Sequence, residues 1–298
     1  MTNPGRNHSV DSLKGLLMIL VVIGHVLIGN QLRMVPRYLI YTFHMPLFVF
    51  MSGYLLNVNS LRRMTWAEIW RKYARRLILP WCAAWVVYTT WSLMHQRWGM
   101  STLLHDVVHP YLHLWFIPSL FLMTCMVAVA AKCRISLWWV FALGCISIAT
   151  VGSYPLPGIC TLWPLVYLAT GALSRAGKLP RRIGWSGVAV VMVLNAGMYF
   201  VVNLTPFTRH NSLMLLMPVE WLLCVAVGNL LHSGRQWRSA TLEWIGRNSL
   251  QVYLWHMVPI IALKEIVPPT NRPLYYLIAA ILLANFLLVV HCCNHRRK

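Results

Sequence analysis

The first apolar segment of this chain is long enough to cross a lipid bilayer, yet it carries ionisable groups. It reads Asp11-Ser-Leu-Lys14-Gly-Leu-Leu-Met-Ile-Leu-Val-Val-Ile-Gly24-His25. A helix turns about 100° and rises about 1.5 Å per residue. Lys14 and His25 are eleven residues apart. They therefore share a face and stand about 16 Å apart along the axis. Asp11 joins that face one turn before Lys14. Ionisable groups in hydrocarbon are costly, so such a stripe must face partners or a polar interior. A chain that begins this way folds as a helical membrane bundle with a polar path inside it.

The remaining sequence repeats the apolar blocks. Of 298 residues, 58% are hydrophobic and 11% charged, against about 25% charged in a soluble domain. Residues 1–298 read as one transmembrane domain without a soluble appendage. The first segment reads as a retained span rather than a cleaved signal peptide, because no small-residue cleavage pattern follows Asn30. Eight cysteines fall mostly inside apolar segments, and none forms a Cys-x-x-Cys pair. They read as small buried residues, so neither a disulfide framework nor a metal site is expected.

Ten spans are predicted, at 12–30, 37–58, 77–95, 114–131, 135–151, 157–173, 184–203, 213–231, 248–265 and 274–291. Each approaches the ~20 residues that cross the hydrocarbon core. Lys and Arg number 26 against 6 Asp and Glu. With the N-terminus in the cytoplasm, 20 of the 26 basic residues fall on the cytoplasmic side. That bias supports an even number of spans and two cytoplasmic termini. A basic balance also suits nucleic acid, but no basic soluble domain exists to bind it. The excess is better read as orientation plus a site for an anionic ligand.

Several side chains have two readings. A histidine such as His25 can simply hydrogen-bond a neighbouring helix, or act as a general base near neutral pH. Its shared face with Lys14 and Asp11 favours the second. His44 precedes Pro46 deep in the second span, where packing explains the proline better than the histidine. The stretch Trp70-Arg71-Lys72-Tyr73-Ala74-Arg75-Arg76 is either a positive-inside anchor at lipid phosphates or a grip on a phosphorylated cofactor. Arginine forks suit phosphate, and there is no glycine-rich phosphate loop in the chain to do this instead. Glu220 lies mid-span and needs a partner or a proton. Asn248, Tyr253 and His256 make one late helix unusually polar.

These stretches together resemble the membrane acyltransferase family 3, which includes polysaccharide O-acetyltransferases and fucose 4-O-acetylase-like proteins. Asp-x-Leu-Lys-Gly with Val-Val-Ile-Gly-His25 is similar to the family's first helix. Phe43-His-Met-Pro-Leu-Phe and Ser52-Gly-Tyr54 are similar to its second. Arg76-Leu-Ile-Leu-Pro80, His113-Leu-Trp-Phe116 and Gly246-Arg-Asn-Ser-Leu-x-Val-Tyr-Leu-Trp-His256 follow in order. Two positions depart from the pattern. Lys14 stands where many members carry arginine, and Tyr73 stands three before Arg76, where many carry another.

The resemblance implies transfer of an acyl group, usually acetyl, from cytosolic acetyl-CoA or another acyl-CoA to a hydroxyl of a surface or lipid-linked glycan. It implies that His25 is the essential histidine, paired with Lys14, which Asp11 orients. Lys72, Arg75 and Arg76 are then expected to hold the donor's phosphates. His44, Glu220, Tyr253 and His256 are candidates for the acceptor side. The expected location is a bacterial inner membrane, with Lys14 near the cytoplasmic interface and His25 beyond the midplane. The alternative is a transporter or flippase for a lipid-linked saccharide or another anion, with the polar stripe lining its path.

Overall fold

Long apolar runs satisfy their backbone groups in lipid only as helices or closed barrels, and this chain is helical. The computed structural model describes residues 7–30, 33–95, 100–150, 158–180, 183–204, 209–234, 236–267 and 271–295, with no strand among them. In order, the helices are α1 (His8–Val26), α2 (Val35–Leu55), α3 (Val58–Arg63), α4 (Trp66–Tyr73), α5 (Leu79–His95), α6 (Met100–Val108) and α7 (Phe116–Lys132). Then follow α8 (Leu137–Thr150), α9 (Leu165–Arg175), α10 (Trp185–Leu204), α11 (Arg209–His232), α12 (Ala240–Arg247), α13 (Ser249–Trp255), α14 (Met257–Ile266) and α15 (Arg272–His295).

Among the described residues, five stretches are long and apolar enough to cross a membrane: His8–Val26, Val35–Leu55, Trp66–Met94, Met214–His232 and Arg272–Cys293. Phe116–Lys132, Leu137–Thr150 and Trp185–Val201 are shorter apolar helices. Two expected spans take another form. Of 157–173, only α9 is α-helical, and ten of its residues are buried. Eleven residues rise about 16 Å, so α9 covers only part of the expected span. The expected span at 248–265 is two helices, α13 and α14, divided at His256. Pro259 has no N–H for the Trp255 carbonyl, and it is tolerated because it falls in the first turn of α14. Residues 151–157, where the fifth expected span meets the sixth, lie outside the described residues, as do Arg6, Arg97, Arg181, Arg182, Arg235, Arg296, Arg297 and Lys298.

The basic stretch at 62–76, between two expected spans, is mostly helical. Thr65 and Glu68 form a reciprocal capping box that starts α4. From Ala74 to Ile78 the helix widens to π geometry, and the Leu79 N–H bonds the Ala74 carbonyl. Pro80 explains the change, because it cannot donate to the Arg76 carbonyl and its ring crowds that group.

The chain divides into two compact units. One comprises the residues up to Met45 and those from Gly234 onward. It is built on α1, which starts at an Asn7 cap whose side chain accepts from the Ser9 and Val10 N–H groups at 3.1 and 3.4 Å. α1 packs backbone to backbone on α12. A Cβ on Gly15 would stand 2.0 Å from the Leu242 carbonyl oxygen, and one on Gly246 would stand 1.9 Å from that of Asp11. The chain leading into α12 is held to α1 as well. The Trp237 and Ser239 N–H groups donate to the Ser9 and Ser12 hydroxyls at 2.8 and 3.3 Å. Glu243 bridges His8 at 2.9 Å and Arg238 at 3.1 Å.

The other unit, Pro46–Ser233, is centred on α9. Gly53 and Gly171 let α2 and α9 meet: a Cβ on either would lie 2.0 Å from a backbone oxygen of the other helix. Gly144 does the same for α8 against α9, 2.4 Å from the Val166 nitrogen. Close glycine contacts of this kind let membrane helices pack where the hydrophobic effect supplies little attraction.

Candidate active site

α1 ends at Val26, so His25 lies in its last turn. Gly24 beside it admits the ring of Tyr41 from α2, whose nearest carbon would be 3.0 Å from a Cβ there. The Tyr41 hydroxyl donates to the Gly24 carbonyl at 3.5 Å. Its ring meets His25 edge-on at 6.2 Å between centroids and His44 edge-on at 5.0 Å. From the break between α13 and α14, His256 brings its ring to 5.3 Å from that of His25, tilted 45°. Tyr253 stands 6.0 Å from His256. The unit thus gathers three imidazoles and two phenols from α1, α2 and the α13–α14 junction.

The backbone fixes two of these rings. His44 Nδ1 donates to the Ile40 carbonyl at 2.5 Å, and His256 Nδ1 donates to the Tyr253 carbonyl at 2.7 Å. A carbonyl accepts, so each neutral ring carries its hydrogen on Nδ1 and its lone pair on Nε2. The bond from His256 also occupies a carbonyl at the end of α13, where the helical ladder stops. Both His44 and His256 are buried. Such a cluster can accept a proton from a hydroxyl and return it to a leaving group.

Asp11 and Lys14 are not part of this cluster. They lie on the α1 segment that packs against α12, about 21 and 16 Å respectively along the axis from His25. The polar stripe on α1 therefore has two ends with separate surroundings.

Lys72, Arg75, Arg76 and Glu220 belong to the other unit. Lys72, Arg75 and Arg76 are all exposed. Arg75, with Arg71, lines a groove of about 600 Å³ whose other walls include Trp66, Ile69, Trp70, Ala74 and Cys125. Lys72 instead sits over the ring of Tyr73, 5.3 Å from its centroid. Tyr73, at the position where the family pattern often has arginine, is buried. Glu220 is also buried, and it accepts a hydrogen bond from the Tyr167 hydroxyl of α9. The phenol is the partner that a carboxyl buried in mid-span needs.

Sequence reasoning missed Tyr41 and Arg37. The signal for Tyr41 was available, since it precedes His44 by one helical turn. Arg37 lies one turn earlier still, with its guanidinium 5.3 Å from the Tyr41 ring centroid.

A family model described as an acyltransferase domain, Acyl_transf_3, matches residues 7–290. The nodulation protein NolL of Mesorhizobium japonicum is 32% identical over 180 residues, covering 52% of this chain and 46% of that protein. The nodulation protein NolL of Sinorhizobium fredii is 32% identical over 132 residues, covering 40% and 36% respectively. Each match spans less than half of the relative's length. No solved structure matches the chain.

Proposed function

We propose that this chain, which belongs to the acyltransferase 3 family over residues 7–290, is a membrane O-acyltransferase. It moves an acyl group, most simply acetyl, from cytosolic acyl-CoA to a hydroxyl of a lipid-linked or surface glycan. The observation that carries this reading is the His25 cluster, a set of imidazoles inside a helical membrane unit. About ten membrane crossings, some made by short or broken helices, leave both termini in the cytoplasm of a bacterial inner membrane. The loop charges support that orientation.

In this reading His25 is the general base. It takes the proton of the glycan hydroxyl as the oxygen attacks the thioester carbonyl. The new C–O bond forms, the C–S bond breaks, and the protonated imidazole returns its proton to the departing thiolate. His256 and His44 position His25 and limit the water around it. Arg75, Arg76 and Lys72, with Arg71 beside them, hold the donor's phosphates. Lys14 and Asp11 lie on the donor side of the same helix.

Reconstituted protein supplied with acetyl-CoA and a membrane extract of lipid-linked glycans tests the reading. Acyl transfer releases free CoA thiol in step with acetylated glycan. Saccharide movement with the thioester left intact would replace this reading with a transporter.

A further inference from the structure

Within the unit Pro46–Ser233, α4 and the π segment after it border the groove of about 600 Å³. Its walls include Trp66, Trp70, Arg71 and Arg75, together with Ala67 and Ala74. At about 100° per residue, the two indoles stand one turn apart, and the two guanidinium groups follow on the far side of the same face. Ala67 and Ala74 fall between these rows, so small side chains floor the recess that the long ones border. The volume lies in the range of small-molecule sites. Tryptophan at a membrane surface is ordinarily an interface anchor, but the surroundings of this pair point to a bound ring.

Both indoles are held by protein. Trp70 meets Phe121 of α7 edge-on, with 5.2 Å between centroids and 80° between planes. The Lys132 ammonium lies 5.2 Å from the Trp66 ring centroid and is tied in turn to the Met64 carbonyl. The two residues nevertheless remain 51% and 62% exposed, so much of each ring is open to a ligand. A ring already fixed in place loses little freedom when a flat partner stacks on it, and every nucleobase offers such a face. The charge beside the indoles is of one sign. Arg71 and Arg75 line the groove. Glu68, the one acidic residue of α4, is spent on the Thr65 N–H and hydroxyl at 2.7 and 3.0 Å. Flat aromatic surface bordered by guanidinium forks is the complement of a base joined to phosphates.

We propose that Trp66 and Trp70 form a nucleobase subsite, so that the groove takes a whole nucleotide and not a phosphate alone. The identity of that nucleotide, the phosphorylated adenosine end of acyl-CoA, rests on the proposed acyltransferase reaction; the preference for a nucleotide does not. The base then sets donor selectivity. A thioester on the same pantetheine arm without the nucleotide lacks both the stacking and the phosphate contacts, and it is a poor donor.

Equilibrium dialysis tests the subsite without acyl transfer. Full-length protein in phosphatidylcholine nanodiscs is dialysed against radiolabelled adenosine 3′,5′-bisphosphate, which carries no thioester. The nucleotide is expected to bind saturably. Inorganic pyrophosphate should displace it only at concentrations at least about tenfold above those of the unlabelled nucleotide. Trp70→Leu should raise the Kd for the nucleotide about tenfold and bring the two competitors to similar concentrations. Trp66→Leu covers the case in which Trp70→Leu does not fold, and should act in the same direction. The subsite does not exist if binding is not saturable, if pyrophosphate competes as well as the nucleotide, or if the Kd is unchanged in both variants. Loss of binding when phosphatidylglycerol is added to the disc would also overturn it, by assigning the groove to an anionic lipid. Nucleotide binding without acyl transfer from acetyl-CoA would leave the subsite standing and remove the proposed reaction. Acyl transfer with a wild-type KM for acetyl-CoA in both variants would do the reverse.

Discussion

The rings of His25 and His256 lie 5.3 Å apart between centroids, although the two residues are separated by almost the whole chain. The contact exists because the expected ninth span breaks at His256 and turns that ring toward the end of α1. In the proposed reaction His256 positions His25. His256→Asn retains a donor for the Tyr253 carbonyl but loses the ring. It is expected to lower kcat by about ten- to a hundredfold with little change in the KM for acetyl-CoA, and to move the pH–rate profile. A fall in expression with an unchanged profile would indicate a role in folding alone.

The α1–α12 crossing depends on two glycines. At Gly15 and Gly246 a Cβ would come within 2.0 and 1.9 Å of backbone oxygens, which cannot rotate away. Gly15→Ala and Gly246→Ala should each destabilise the protein by about 1–3 kcal/mol, the range for overpacking. At Gly197 a Cβ would meet nothing within 4 Å, so Gly197→Ala should be neutral or slightly stabilising. Thermal unfolding in detergent separates the three.

The groove proposed for the donor gives a kinetic prediction. Arg71 and Arg75 line it together. Replacing either with glutamine should raise the KM for acetyl-CoA by about tenfold, the scale of one charge-assisted hydrogen bond. Replacing Lys72, which lies over Tyr73, should do less. Equal effects at all three positions would reduce the stretch to a general electrostatic attraction. Steady-state rates at two salt concentrations decide between these outcomes.

Glu243 ties stability to pH. Its hydrogen bond with His8, and then the charges of His8 and Arg238, hold its carboxyl below the usual carboxylate range. A folded-state value below the unfolded one stabilises the protein above the unfolded value, and that stability is lost as pH falls through the folded one. The wild type should therefore lose more thermal stability than Glu243→Gln between about pH 6 and about pH 3. Parallel curves would mean that the bridge contributes nothing.

Much of the fold is legible in the apolar runs themselves. Helix is the form that such runs take in lipid, and α1, α2, α5, α11 and α15 lie where their apolar runs do. The breaks are harder to see. Pro259 and Pro80 each remove one N–H, but whether the ladder stops, as at His256, or widens, as at Ala74–Ile78, depends on what packs beside it. α9 is shorter than its apolar run, because composition does not record that the helix starts only at Leu165. His25, His44, Tyr253 and His256 are each visible as polar residues in apolar surroundings, and the structure places them together. Asp11 and Lys14 share a face with His25 but not its surroundings, because helical periodicity assigns direction and not distance.

The central claim is that His25 performs the acyl transfer. Its most direct test follows labelled acetyl from acetyl-CoA to lipid-linked glycan in reconstituted membranes, comparing the wild type with His25→Ala at matched protein levels. The account predicts a loss of at least about a hundredfold, with donor binding retained because the basic residues at 71–76 belong to another unit. Transfer by His25→Ala at the wild-type rate would contradict it.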